Sequence, residues 1–287
     1  MLSNKVREIM TTELTTAPAS TTIQEVMEKL VMEHVDAVLL TENGILTGIF
    51  TERHVLKYVT NFGLNPKATT VSCVMTSPIR SVTEQTSIVE ALGEMLQRRI
   101  RHLLVRAEDN DRIVGIISMR LILQMVVEIG HCVNETQTVG EIISPDPISV
   151  DQATAVSDAL ELMNQKDTGA VVITCGKRPA GIFTERDLLQ RVVLREKEPR
   201  QLRIEEVMIS PVITMPRTTA VGKVLDEMQR RSIRNMPVCG DGGELVGLVS
   251  MSEIIQYAQV LDTDDAVRRA WKEVQEFYDS QDIYTPG

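Results

Sequence analysis

The sequence predicts an α/β (α+β) protein built from four β-α-β-β-α repeats, and two pairs of recurring strings support this. Gly-Ile-Phe-Thr-Glu-Arg occurs at 48–53 and again at 181–186, so the two copies lie 133 residues apart. Gly-Ile-Ile-Ser-Met-Arg begins at Gly115, and the related Gly-Leu-Val-Ser-Met-Ser begins at Gly247. All four strings share a glycine, two apolar residues and then Thr or Ser. The chain is therefore a duplicated pair of repeats.

Each repeat shows the same elements in the same order. An apolar residue opens it, followed three positions later by a second, as in Val6–Met10 or Ile204–Met208. A helical pattern follows, with apolar residues on one face at i, i+4 and i+8. Short apolar runs then predict buried strands at 37–40, 103–105, 170–173 and 236–238. A turn rich in Gly and Asn predicts a hairpin whose second strand ends at the Thr or Ser, where the last helix begins.

The predicted domain boundaries are 6–59, 71–127, 139–194 and 204–258. A unit of about 55 residues is marginal for forming a self-sufficient core, so the repeats are expected to pair. Because repeat 1 matches repeat 3 and repeat 2 matches repeat 4, we group 1 with 2 and 3 with 4. Beyond them, 262–287 predicts a helical tail with an apolar stripe. It would pack on its own repeats, on a second subunit as a homodimer, or on a foreign partner.

Composition excludes several function classes. The formal net charge of −10 argues against general affinity for nucleic acid or an acidic membrane. No apolar run reaches the roughly 18 residues of a membrane span, and the first residues lack a signal-peptide core, so we expect a cytoplasmic protein. The cysteines are isolated, which predicts small apolar filler and no metal site: Cys73, Cys132, Cys175 and Cys239. No P-loop, nucleophile elbow or zinc-protease motif is present, so we predict that the chain is not an enzyme.

Four such motifs in register, with matching upstream Met/Pro segments and hairpins, resemble the CBS domain over about residues 6–258. The pattern is similar to two tandem Bateman modules, as in the γ subunit of AMP-activated protein kinase and in stand-alone archaeal and bacterial proteins. The resemblance implies a flat pseudo-fourfold disc that binds AMP, ADP or ATP without a catalytic cofactor. It also implies that ligand state is passed to a regulated partner, which would be a kinase, an enzyme or a transporter.

The Thr/Ser-x-x-acid motif at each helix start has two interpretations. A carboxylate such as Asp187 can accept hydrogen bonds from ribose hydroxyls, beside Thr184 and the free N–H groups of the helix start. The same residues also form a capping box. The resemblance favours the ligand for Thr184 and Asp187. Ser250 and Glu253 suit a capping box better.

The other two copies depart from the pattern. Thr51 is followed by His54 where the family has Asp, and Ser118 is followed by Leu121, which has no polar group. We therefore expect the second copy of the hexamer to bind a nucleotide and the first to have changed or weakened its site.

Arginines supply the positive charge that a phosphate needs. Arg101 and Arg234 stand last before a strand, where the resemblance implies phosphate contact. Arg186, beside the motif, is a weaker candidate. The arginines just upstream are interpreted as solvated helix ends: Arg98, Arg99, Arg230 and Arg231.

The resemblance implies clefts between the two repeats of a pair, each lined by residues of both. The best site joins Thr184, Asp187 and Arg186 to Ile213, Arg234, Asn235 and Met236. Its twin joins Ser250 and Glu253 to Ile148, Gly169 and Ala170. In the first module, Thr51 and His54 face Ile79, Arg101 and His102.

Two alternatives remain open. One is a sensor of another adenosyl ligand, such as S-adenosylmethionine or a dinucleotide; a sulfonium would not need Arg101 or Arg234. The other is a structural scaffold whose sites are partly vestigial, which the degenerate motifs of repeats 1 and 2 favour.

Overall fold

The computed structural model describes residues 5–60, 62–110, 112–122, 137–143, 147–251 and 253–254. Within them lie four three-stranded sheets, one for each repeat. In each sheet the first strand runs parallel to the second, and the second pairs antiparallel with the third. The α+β class and the repeat order are thereby confirmed. The tail at 262–287 and Cys132 lie outside the described residues.

The bounds of the elements are as follows. Repeat 1 contains β1 (Thr16–Pro18), α1 (Ile23–Met32), β2 (Ala37–Glu42), β3 (Ile45–Thr51) and α2 (Glu52–His54). Repeat 2 contains β4 (Ser81–Thr83), α3 (Ile88–Arg98), β5 (His102–Arg106) and β6 (Ile113–Ser118). Repeat 3 contains β7 (Ser149–Asp151), α4 (Val156–Gln165), β8 (Ala170–Cys175), β9 (Arg178–Thr184) and α5 (Glu185–Asp187). Repeat 4 contains β10 (Met215–Pro216), α6 (Val221–Arg230), β11 (Asn235–Cys239) and β12 (Leu245–Ser250).

The short helices α2 and α5 continue as wider π-helical turns, Val55–Thr60 and Leu188–Val192. Such turns are rare and occur often at functional sites. The long helices bury the faces that their periodicity predicts; α4, for example, buries Val156, Ala159, Leu160 and Met163.

The repeats of each pair exchange their opening segments. Each segment forms one 3₁₀ turn whose first residue is fully buried: Val6, Val71, Val139 and Ile204. The Val6 N–H donates to the Thr86 carbonyl of repeat 2 at 3.0 Å, and the Val71 N–H donates to Thr21 of repeat 1 at 2.8 Å. The equivalent bonds of Val139 and Ile204 link repeats 3 and 4. The predicted grouping into two modules is therefore confirmed.

The recurring glycines are explained by the same exchange. A Cβ on Gly48 would lie 2.2 Å from the Met75 sulfur, and one on Gly181 would lie 2.3 Å from that of Met208. In each case the methionine follows the exchanged turn of the partner repeat. The glycine and the upstream methionine are thus two halves of one contact.

The two modules share their cores. One continuous cluster joins repeats 1 and 3, with Leu30 and Phe50 from the first and Met163 and Phe183 from the second. A second cluster joins repeats 2 and 4. The exchanged turns and the shared clusters close a ring in the order 1, 2, 4, 3, as a pseudo-fourfold arrangement requires.

Two further observations bear on the sequence expectations. Cys73 and Cys175 are exposed, so the interpretation of these two cysteines as apolar filler is wrong, whereas Cys239 is half-buried. Among the helices within the described ranges, none has the length and apolar character needed to cross a bilayer.

Candidate functional site

Thr184 and Asp187 form a capping box at the start of α5. The Thr184 N–H and hydroxyl donate to Asp187 Oδ2 at 3.0 and 2.6 Å, and Arg191 Nε lies 3.3 Å from Oδ1. Burial raises the pKa of Asp187, which is only 3% exposed. A ribose bound at this helix start would have to replace hydrogen bonds that repeat 3 itself now supplies.

His54 takes the place of Asp187 in the first copy. Its Nδ1 accepts from the Thr51 N–H at 3.0 Å, so the ring proton sits on Nε2, which faces Thr76 Oγ1 at 3.0 Å. Burial, followed by the charge of Lys57, lowers the pKa of His54 to about 4. A neutral imidazole thus caps the helix as a carboxylate does in the second copy.

The residue four positions after His54 also differs from its counterpart in the second copy. His54 stacks on Tyr58 with ring centroids 5.9 Å apart, within a ladder that runs from Phe50 to Phe62. The residue 133 positions after Tyr58 is Arg191, the ion-pair partner of Asp187. An aromatic pair in one module is therefore an ion pair in the other.

A cleft of about 420 Å³ lies mainly in the first module, and repeat 3 supplies part of its wall through Met163, Asn164, Asp167 and Thr168. Its walls bring together all five residues predicted for this module: Thr51, His54, Ile79, Arg101 and His102. They also include residues that sequence reasoning missed: Asp36, Glu52, Lys57, Tyr58, Thr76, Arg80 and Asp167. Aligning the two hexamers over a longer window would have exposed Tyr58, because Arg191 stands in its place.

Arginines bridge the two modules at the starts of the short helices α2 and α5. Arg101 Nη1 lies 2.8 Å from Glu185 Oε2, and Arg53 Nε lies 3.9 Å from Glu185 Oε1. On the other side, Arg186 Nε and Arg234 Nη2 lie 2.7 and 3.2 Å from the two oxygens of Glu52. The charge of Glu185 raises the pKa of Arg101, so its guanidinium stays protonated.

Glu52 and Glu185 were not singled out from the sequence. They are 3% and 2% exposed, although the first turn of a helix normally presents acids to water. The available signal was the presence of this glutamate in both copies of the repeated hexamer. Buried carboxylates of this kind need paired cations, and the four arginines provide them.

At one position the ion-pair network differs between the equivalent repeats 1 and 3. Asp36 accepts from His102 Nε2 at 3.4 Å and lies 3.7 Å from Arg234, whereas the equivalent residue in repeat 3 is Gly169. Burial would raise the pKa of Asp36, but the His102 hydrogen bond and the charges of His102, Arg120 and Arg234 lower it strongly. A Cβ on Gly169 would lie 3.1 Å from Arg101 Nη2, so glycine leaves room for that side chain.

The remaining candidates lie apart from the first cleft. Ser250 and Glu253 hydrogen-bond as a cap, and the Leu121 N–H donates to Ser118 Oγ. Asn235 pairs with Ser250 in the β11–β12 ladder. Ile148 and Ile213 pack against the shared cores, while Ala170 and Met236 expose none of their surface.

Arg234 departs from the expected constellation. Its ion pairs go to Asp36 and Glu52 of repeat 1, and it lines the cleft of the first module. Met236, expected beside an adenine, has no surface that a ligand can reach in this structure. Arg234, which was predicted to join the Asp187 site, therefore lies at the cleft of the first module instead.

Known proteins resemble this chain over part or most of its length. Protein CBSCBSPB1 of Arabidopsis thaliana, a CBS domain-containing protein, is 25% identical over 88% of this chain and 53% of its own length. Protein MK0525 of Methanopyrus kandleri is 34% identical over 42% of this chain and 61% of its own. The chain spans about half the length of the Arabidopsis relatives it matches.

Solved structures share the fold. Protein MJ1225 of Methanocaldococcus jannaschii, proposed as an archaeal homologue of γ-AMPK, has a TM-score of 0.75 at 17% identity. The match covers 88% of this chain and 99% of that one. A conserved protein from Pyrococcus horikoshii has a TM-score of 0.60 at 18% identity, with the same coverage of both chains.

The CBS domain model matches four segments, 6–61, 71–128, 139–194 and 204–259. These segments contain the four sheets, the exchanged turns and the Thr/Ser helix starts described above. The chain therefore belongs to the CBS domain family and carries four copies of the domain.

Proposed function

We propose that this chain is a non-catalytic regulatory module that binds an adenine nucleotide, AMP, ADP or ATP, between paired CBS repeats. Binding would change how the two modules contact each other, and a partner protein would respond to that change. A ligand shifts such an equilibrium only by its differential affinity for the two arrangements.

The cleft of the first module carries this proposal. It combines apolar and aromatic walls, Ile79 and Tyr58, with the cationic side chains of Lys57, Arg80 and Arg101. Its volume of about 420 Å³ falls in the usual range for small-molecule sites. The wall also carries Asp36, Glu52 and Asp167, but six Lys and Arg side chains outnumber these three acids, which suits an anionic ligand with a planar ring.

The second module extends the proposal. Thr184 and Asp187 would exchange their capping bonds for bonds to ribose hydroxyls, since hydroxyls can both donate and accept. The raised pKa of Asp187 adds a cost, because the carboxylate must stay charged to accept both bonds.

Isothermal titration of the full chain with AMP, ADP and ATP tests the function. We expect micromolar affinity for the native protein. Arg80→Ala should weaken binding about tenfold through loss of one phosphate contact, because charged hydrogen bonds contribute more than neutral ones. Asp187→Asn should weaken nucleotide binding at the second module, because it removes the charged acceptor of the ribose hydroxyls.

The matched control is Arg112→Ala, which removes an exposed arginine of the repeat 2 hairpin outside the cleft. Its affinity should equal that of the native chain. Failure of every adenine nucleotide to bind below millimolar concentration would overturn the proposal.

A structural scaffold is the second candidate. It is favoured by the pairing of Arg101 and Arg234 with buried glutamates, which satisfies their charge without a ligand. Under this alternative no adenine compound binds, and thermal unfolding is the same with and without nucleotide.

A further inference from the structure

A cation on the wall of the first cleft is held by the other module. Arg101 of repeat 2 lines the cleft, and its Nη1 lies 2.8 Å from Glu185 Oε2 of repeat 3. Glu185 is 2% exposed and lies at the start of α5. The same ion pair thus belongs both to the cleft and to the contact between modules.

The alternative partners of Glu185 are weak. Its Oε1 has no hydrogen-bond partner among the described residues, and Arg53 Nε lies 3.9 Å away. Arg53 itself is engaged by Asp167, through both the side chain and the carbonyl oxygen. If Arg101 turned toward a ligand, Glu185 would remain buried with little compensation.

A phosphate and a carboxylate compete for the same guanidinium surface, because both accept its forked donors. An anion entering the cleft would therefore draw Arg101 away from Glu185. The buried carboxylate then favours any rearrangement that brings it water or another cation. Linkage requires the converse, so a stronger Arg101–Glu185 pair weakens the binding of the anion.

We propose that Glu185 is an internal competitor of the anionic ligand: it sets the affinity of the first cleft and couples that cleft to the second module. This inference deepens the proposed function and rests on it. The ligand chemistry that it concerns is the phosphate group, whatever base is attached.

Glu185→Gln tests the inference by removing the competing charge at nearly constant shape. We expect the full-length variant to bind ATP and AMP about tenfold more tightly than the native chain, a coupling of the usual size. Binding of adenosine, which lacks phosphate, should not change. Both are measured by isothermal titration.

Asp167→Asn is the matched control. Asp167 also lines the cleft, but it pairs with Arg53 and Arg99 instead of Arg101. If this variant tightened nucleotide binding as much as Glu185→Gln, general charge on the wall would explain the effect, and the inference would be overturned.

Gly169→Ala provides a test that keeps every charge. Its Cβ would lie 3.1 Å from Arg101 Nη2 and 3.2 Å from Glu185 Cδ, which crowds the ion pair. It should also tighten phosphate binding, and it covers the case in which Glu185→Gln does not fold.

The outcomes separate the two proposals. A native chain that binds nucleotide, with unchanged or weaker binding in Glu185→Gln and Gly169→Ala, overturns the inference alone. Absence of binding in the native chain and in both variants overturns the proposed function. Binding only in the variants would overturn the proposed function for the native chain, and with it the inference that rests on that function.

Discussion

At the residue scale, one substitution separates the two copies of the repeated hexamer. His54 and Asp187 occupy the same place in a helix cap, and both accept the backbone N–H of the preceding Thr. The imidazole can do so only while Nδ1 carries no proton. The cap of the first copy therefore depends on pH, and the low pKa of His54 fits that requirement.

The first prediction concerns stability in mild acid. The folded pKa of His54, about 4, lies below the unfolded value of 6.5, so this residue binds a proton on unfolding between these pH values. Its contribution is fully present above about pH 6.5 and is lost as the pH falls toward 4. The free energy of unfolding should fall by at most about 1.4 kcal/mol per pH unit from this group.

His54→Asn keeps an acceptor for the cap and removes the titration. Urea unfolding between pH 4 and 7 should show a shallower slope for this variant than for the native chain. His34→Asn, at an exposed histidine, serves as the control and should leave the slope unchanged. Equal slopes for the native chain and His54→Asn would contradict the prediction.

The second prediction compares two arginines in the segment between α6 and β11. Arg234 neutralises the buried Glu52, whereas Arg231 pairs with Glu227 at the surface. Loss of the sole partner of a buried charge costs about 3–5 kcal/mol. Glu52 keeps Arg186 at 2.7 Å and Arg234 is partly exposed, so we expect about 2–3 kcal/mol. Surface pairs contribute about 0–1 kcal/mol.

Chemical denaturation of Arg234→Met and Arg231→Met measures the difference. The first should lose about 2–3 kcal/mol of unfolding free energy and the second less than about 1 kcal/mol. Similar losses would show that solvent screens the Glu52 network as it screens a surface pair.

At the scale of elements, the contact between glycine and methionine joins the repeats of a module. Gly181 lies in β9 and Met208 follows the exchanged turn Ile204–Glu206 of repeat 4. No side chain larger than hydrogen fits between the strand and that methionine. The same contact recurs at Gly48 and Met75.

The third prediction is therefore a loss of stability in Gly181→Ala. Its Cβ would lie 2.3 Å from Met208 Sδ and 3.0 Å from the Ile209 carbonyl oxygen, so backbone or side chain must move. Overpacking of this kind costs about 1–3 kcal/mol. Thermal or urea unfolding measures the loss.

Gly93→Ala is the matched control. Gly93 lies inside α3, and nothing lies within 4 Å of the added Cβ. Alanine there should stabilise the chain by about 0.5–1 kcal/mol, because glycine is a poor helix former. A loss in both variants would show that glycine is needed for a reason other than contact with methionine.

The elements could be predicted from the sequence because four copies of each pattern reinforce one another. The capping box at Thr184 was also visible, since its spacing is local. The ion pairs could not be predicted in the same way. Arg234 and Glu52 are 182 residues apart. No local pattern indicates that an arginine will pair with an acid of the other module.

At the scale of the whole molecule, the repeats pair in two independent ways. Exchanged turns join 1 to 2 and 3 to 4, while the apolar clusters join 1 to 3 and 2 to 4. Sequence similarity predicted the first pairing, because related copies alternate. The second depends on which helix faces meet, and the same apolar face would suit several partners. Both large clusters therefore cross between the modules, while a smaller one around Leu39, Ile49 and Leu104 lies within the first module.

The last prediction follows from these shared cores. Leu30 of α1 is 1% exposed and belongs to the cluster that also contains Met163 and Phe183 of repeat 3. Leu30→Ala should cost about 2–5 kcal/mol of unfolding free energy through lost burial and a cavity. Because the cluster spans both modules, the cost should appear in both.

Native-state hydrogen exchange locates that cost. The slowest amides of β8, in the module that does not contain the substitution, should lose as much protection free energy as those of β2. Modules that unfold independently would confine the loss to repeats 1 and 2 and leave β8 unchanged, which would contradict a shared core. The equality is expected because the shared cluster makes the two modules one cooperative unit, and amides that exchange only by unfolding of that unit report the same free energy.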